Sequence, residues 1–144
     1  MAAPAHLVDR PYLRPVYDEP EFVVRNVWRL YGGWWDGNPS TLKPAPEAVL
    51  ARELAALAGG AGVLAERALA LLESPPDAGD PGVSLRLAGH LAELAALAAP
   101  TDPGVHRVRA EVFSTLSAAA TSTMAKGVFT WTARDSEGRA PHPG

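Results

Sequence analysis

The sequence contains no cysteine. That excludes a disulfide framework, a thiolate nucleophile, a zinc finger and an iron–sulfur cluster, and it leaves the redox compartment open. It also lacks an excess of positive charge. Thirteen Lys and Arg stand against 16 Asp and Glu, for a formal net charge of −3, a poor match to the basic footprint of a nucleic-acid binder. No apolar run reaches the ~18 residues of a membrane span. The N-terminus, Met1 to Arg10, has no basic stretch followed by an apolar core, so no secretory leader is expected and the expected location is the cytoplasm. The usual signatures of catalysis are missing too. No pair among the four His forms HxH, HxxxH or HExxH, no GxSxG elbow occurs, and Gly59-Gly60-Ala61-Gly62 satisfies neither phosphate-loop pattern.

What is present is Ala and Leu in long stretches, broken by 14 Pro and 13 Gly across 144 residues. Ala and Leu favour helix, and Pro and Gly interrupt it. Pro4, Pro11 and Pro15 mark residues 1–17 as an extended arm. Asp18-Glu19-Pro20-Glu21 starts a helix, with Asp18 as the expected cap. In it Val24, Val27, Trp28 and Tyr31 share one face. Phe22, Val23 and Leu30 widen that face, which predicts burial on more than one side.

A second helix from Glu47 shows the stripe Leu50, Leu54, Leu57 and Ala58, and a third, over 63–73, carries Leu64, Ala68, Leu71 and Leu72. Residues 74–82 are expected to be a mobile loop. Ser84 to Ala99 presents Leu87, Leu91, Leu94, Ala95 and Ala98, and the helix after Pro103 presents Val105, Val108, Val112, Leu116 and Ala119. Met124, Val128 and Trp131 form a last apolar face. The polar end, 135–144, is expected to be a disordered tail. No segment reads convincingly as a strand. The expected fold is all-α, with five or six helices in antiparallel hairpins and a helical domain over 18–134.

Ala88, Ala92, Ala95 and Pro100, followed by Ala110 and Phe113, stand where a tetratricopeptide-like helix pair has its small and aromatic residues. Arg109 fits badly at a position where that pair is usually apolar. The plain alternative is an Ala-rich helical hairpin. His90 and His106, with Glu93, are the one polar cluster that neighbouring helices could assemble. Separately hydrogen-bonded His side chains are the favoured reading. No catalytic and no metal-ligating residues are assigned.

The unusual segment is Arg25 to Pro39. Three of the four Trp and one Tyr fall within it, two Gly precede Trp34 and Trp35, and Asp36-Gly37-Asn38-Pro39 is a turn string. Aromatic and Arg side chains are favoured at the centres of protein interfaces. Arg25, Arg29, Tyr31, Trp34, Trp35, Asp36 and Asn38 are therefore the candidate partner-facing residues. The alternative is that these aromatics fill the domain's own core.

The runs Pro15–Asn26 and Trp28–Pro39, with the Gly-Trp-aromatic-Asp-Gly-Asn-Pro string at their heart, resemble the dimerisation domain of alkylsulfatases with a metallo-β-lactamase fold. Asp102-Pro103 and Thr121–Phe129 are similar to that domain as well, and the resemblance spans about Arg10 to Ala133. It implies a helical module that pairs two subunits. In the family a separate N-terminal domain binds two zinc ions through HxHxDH and cleaves a sulfate ester. This chain has no HxHxDH, so neither zinc nor sulfatase activity carries over, and no cofactor is expected here. By position, Trp35, Asp36 and Asn38 would help shape the catalytic domain's substrate pocket. Many members have Tyr where Trp35 stands, so a hydroxyl contact is lost.

Three functions follow as expectations. The first is a non-enzymatic homodimerisation module. The second is a subunit that completes, in trans, the pocket of a metallo-β-lactamase-fold hydrolase. The third is a repurposed amphiphile binder, with a pocket of Trp28, Tyr31, Trp34, Trp35 and Trp131 and with Arg25 or Arg29 meeting an anion. For this chain alone the reading leans against catalysis.

Overall fold

The computed structural model describes residues 5–8, 10–73 and 82–140. Eight α-helices follow one another in this part: α1 (Ala5–Val8), α2 (Pro20–Gly32), α3 (Pro39–Leu42), α4 (Glu47–Ala58), α5 (Ala61–Glu73), α6 (Val83–Ala98), α7 (Pro103–Ala119) and α8 (Thr123–Arg139). A 3-10 turn covers Pro11–Leu13, and no strand occurs among the described residues. The fold is all-α, with six helices longer than one turn. The expected 74–82 loop lies outside the described residues except for Gly82. So do residues 141–144 of the expected tail.

The helix ends follow local chemistry. Pro103 opens α7, and the Asp102 carboxylate accepts from Gly104 N at 2.7 Å and Val105 N at 3.2 Å, a full N-cap. The α4–α5 corner turns on Gly59 at φ 97° and Gly60 at φ 134°, left-handed values that favour glycine. Gly59 N and Gly60 N close the last turn of α4. α4 and α5 are bent by 82°; as a pair they are apolar enough to cross a membrane, while no single helix among the described residues is long and apolar enough to do so.

The core lies among α4 to α8, where successive helices pack on one another. Its inside is made of small residues. Ala51 and Ala55 of α4, Ala68 of α5, and Ala88, Ala92 and Ala95 of α6 are almost or entirely buried. A methyl group on Gly89 would come within 3.0 Å of Leu116 Cδ1, which shows how closely α6 approaches α7. Close approach is the physical reason for the alanine spacing at 88, 92 and 95. Val112, Phe113 and Leu116 supply the bulk from α7.

This interior corrects several expectations. On α4 the helix turns Ala51 and Ala55 inward, leaving Leu57 77% exposed and Leu50 half out. On α6, Leu87 is exposed while Ala88, Gly89 and Ala92 are buried. The most apolar stripe is not the innermost one, because only the small-residue stripe lets the helices close. The apolar face read on α8, Met124, Val128 and Trp131, points outward. The helix cap at 18 is displaced by one residue. Glu19 is the N-cap of α2, and the Asp18 carboxylate accepts from Glu19 N at 2.9 Å. The tail expected from 135 is in fact the last turn of α8, with Ser136 fully buried.

Ser136 is held in a polar network that crosses three helices. Arg109, mostly buried, donates from Nε to Glu93 Oε2 at 2.8 Å and from NH2 to Glu93 Oε1 at 3.2 Å. Its NH1 group reaches Ser136 Oγ at 2.7 Å and, at 3.4 Å, both Thr132 O and Asp135 Oδ2. Its guanidinium stands 5.5 Å from the centre of the Phe113 ring, within range of a cation–π contact.

His106 completes the network, with Nε2 2.9 Å from Pro100 O and Nδ1 3.3 Å from Ser136 Oγ. A carbonyl only accepts, so Nε2 carries the proton and Nδ1 accepts from the Ser136 hydroxyl. Arg109, the misfit of the tetratricopeptide comparison, thus ties α6, α7 and α8 together. His90 and His106 stay separate, in line with the favoured reading, since both ring nitrogens of His106 are engaged by Pro100 and Ser136. His90 is exposed, and Glu93 serves Arg109 instead.

Removing one partner from a buried ionic network leaves the other charges uncompensated. Arg109→Ala should lower the unfolding free energy by about 3–5 kcal/mol in urea titration. Glu93→Gln, which keeps a hydrogen-bond acceptor on a partly exposed partner, should cost far less.

Candidate functional site

The segment from residue 10 to residue 46 contains no buried residue. Its root is nevertheless fixed. Val16 O accepts from Thr123 N at 2.8 Å and from Thr123 Oγ1 at 3.0 Å, and Tyr17 O accepts from Met124 N at 3.1 Å. The first N–H groups of a helix have no partner inside the helix. Here α8 receives acceptors from a bend more than a hundred residues earlier in the chain. Ser122, fully buried, accepts from Ala125 N at 3.2 Å and donates to Glu19 Oε1 at 2.7 Å. One serine caps α8 and latches the start of α2. Sequence reading missed this latch, because Glu19 and Ser122 carry no local sign of each other.

From the latch α2 projects for 13 residues, roughly 20 Å at the α-helical rise. Among the described residues it packs against no other helix. The expectation that α2 is buried on more than one side is therefore overturned within a single chain. Tyr31 is 84% exposed, and Val24, Val27 and Trp28 are exposed with it.

Beyond α2 the chain makes a tight, self-bonded corner. Gly33 and Gly37 have φ of 84° and 88°. The Asp36 carboxylate accepts from Asn38 N at 2.9 Å and from Thr41 Oγ1 at 2.6 Å. Asn38 caps the short α3 through Ser40 N, and Trp35 Nε1 donates to Asn38 O at 2.9 Å. Asp36 and Asn38 thus hold the corner's shape, while Trp34, 68% exposed, stands free of it.

Of the candidate residues, Arg25, Arg29, Trp34, Trp35 and Asp36 come together, with Trp28, around a hollow of about 750 Å³. Tyr31 lines a neighbouring hollow with Val24, Val27 and Trp28. Asn38 lines neither, and Trp131, on the outer face of α8, does not join them. No group of three or more His, Asp or Glu able to hold a metal ion occurs among the described residues. The residues present do not fit a zinc pair.

Hydrogen bonds from Thr41, and then from Asn38 N–H, hold the Asp36 carboxyl below its ordinary value of 3.8. A carboxyl depressed in the folded state adds stability above its unfolded value and loses it as pH falls through the folded one. The corner should stay ordered at neutral pH and open only below about pH 3.8, read from the fluorescence of Trp35. Thr41→Val should move that transition upward.

The described residues thus form an all-helical architecture with an exposed apolar helix that no other described helix covers and a self-bonded aromatic corner. The comparisons with known proteins name the family. The profile for alkyl sulfatase dimerisation matches residues 1–138, and the chain belongs to that family. A linear primary-alkylsulfatase from Pseudomonas sp. (strain ATCC 19151) is 45% identical over 58 residues. That alignment covers 40% of this chain and 11% of the relative, so the chain matches only a small part of that protein's length.

Proposed function

We propose that this chain is a homodimerisation module and that α2 carries the contact. The observation behind the reading is the exposed stripe of Val24, Val27, Trp28 and Tyr31 on a helix that no other described helix covers. Large contiguous apolar surface is rare on proteins that stay alone. An obligate interface buries about 2,000 Å² or more in total. The Arg109 network is committed to holding α6, α7 and α8 together, although Glu93, His106, Arg109 and Asp135 also line a hollow of about 300 Å³ with Arg52 and Arg139, and the corner carboxylate is occupied by its own turn.

Sedimentation at micromolar concentration should give a dimer. Val27→Asp or Trp28→Asp should yield a folded monomer with unchanged helical content, because neither side chain supports the core. Monomer alone in the unaltered protein would remove the reading.

A second reading concerns the corner. Trp34 and the two Arg of the 750 Å³ hollow combine an aromatic anchor with fixed positive charge, as a docking surface does. The relative's name, linear primary-alkylsulfatase, together with what the family resemblance implies, makes a zinc-dependent hydrolase of metallo-β-lactamase fold the partner to try. Trp34→Ala should then weaken binding of such a protein and leave self-association intact.

A further inference from the structure

Two exposed apolar faces lie beside the latch. One is the stripe of α2. The other is the outer face of α8, where Met124, Val128 and Trp131 are 43%, 59% and 67% exposed. The latch joins Tyr17 to Met124, so α2 begins beside the first turn of that face. Yet the two helices do not pack together within one chain.

α8 carries a second sign of a neighbour. Gly127 and Gly138 lie inside the helix, and a methyl group on either would meet nothing within 4 Å. Neither has a positive φ, so the chain's own backbone and packing give no reason for glycine. Mid-helix glycine is unfavourable against alanine by roughly 0.5–1 kcal/mol. At about 100° per residue, Gly127 and Gly138 fall on the same side of α8 as Met124, Val128 and Trp131. Asp135 and Arg139, paired with each other, fall on this side beyond Trp131, so its apolar part is the N-terminal half of α8, outward and lowered at Gly127, a form that admits another helix closely.

We infer that the outer face of α8 is the receptor for α2 of a second copy of this chain. This rests on the dimer reading above and states which surfaces meet. Each subunit supplies one α2 and one α8 face from the same latch, so one two-fold axis covers both stripes in both subunits and the assembly closes at two. A pairing of α2 with α2 alone would leave the Met124–Trp131 face open in each.

Because the chain has no cysteine, introduced thiols report cleanly. Val27→Cys and Val128→Cys, carried on separately tagged full-length chains and co-expressed, should join on mild oxidation into a disulfide-linked heterodimer. Links between two copies of the Val27→Cys chain should be minor. If sedimentation shows the dimer but the main link is Val27→Cys to its own kind, or no link forms, the pairing is overturned and self-association stands. If sedimentation shows only monomer, both fail together.

Gly127→Leu provides a second measurement. There is room for the side chain in the monomer, so the melting temperature should hold or rise, while self-association weakens by roughly tenfold or more. Unchanged self-association would count against α8 as the receptor.

Discussion

Interior alanine sets the terms for the whole molecule. Helices α4 to α8 close on one another through Ala51, Ala55, Ala68, Ala88, Ala92 and Ala95, and such close packing leaves little room for large side chains between them. Several large apolar residues are consequently displaced outward, among them Leu57, Leu87, Val128 and Trp131. Burial of apolar area is the main favourable term in folding and in association alike. In this chain much of that area is held back from the first process and remains for the second.

The polar groups do the complementary work of fixing geometry. Hydrophobic contact between alanines is not directional, and small residues tolerate sliding. Arg109, held at Glu93, Asp135, Thr132 and Ser136 at once, removes that freedom for α6, α7 and α8. Ser122 does the same for the approach of α2 to α8. A buried ion pair is weak evidence for stability in itself; its clearer effect here is to select one register of three helices.

Helix positions were largely readable from residue spacing, since Pro and Gly bracket most elements and the 3.6-residue period is strong. Which face turns inward was not. Periodicity finds the most apolar stripe, and it carries no information on how close the neighbouring helix stands. So Leu50 and Leu57 looked like core, while Ala51 and Ala55 are the core. The end of α8 was missed for a related reason. Asp135 and Ser136 look like tail in composition, and only Arg109, distant in sequence, makes them interior. The aromatic corner was legible because its Gly and Asx residues act locally. The Glu19–Ser122 latch was not, because its two halves are joined only by the fold.

The latch has one consequence for how two chains would meet. An arm that hangs loose must lose much conformational freedom when it is captured, and that loss opposes binding. Here the free subunit already fixes the root of α2, since Val16, Tyr17 and Glu19 are hydrogen-bonded to Ser122, Thr123 and Met124 at the start of α8. Much of the ordering has happened before encounter. The projecting helix therefore behaves less like a tether than like a bolt set in its housing.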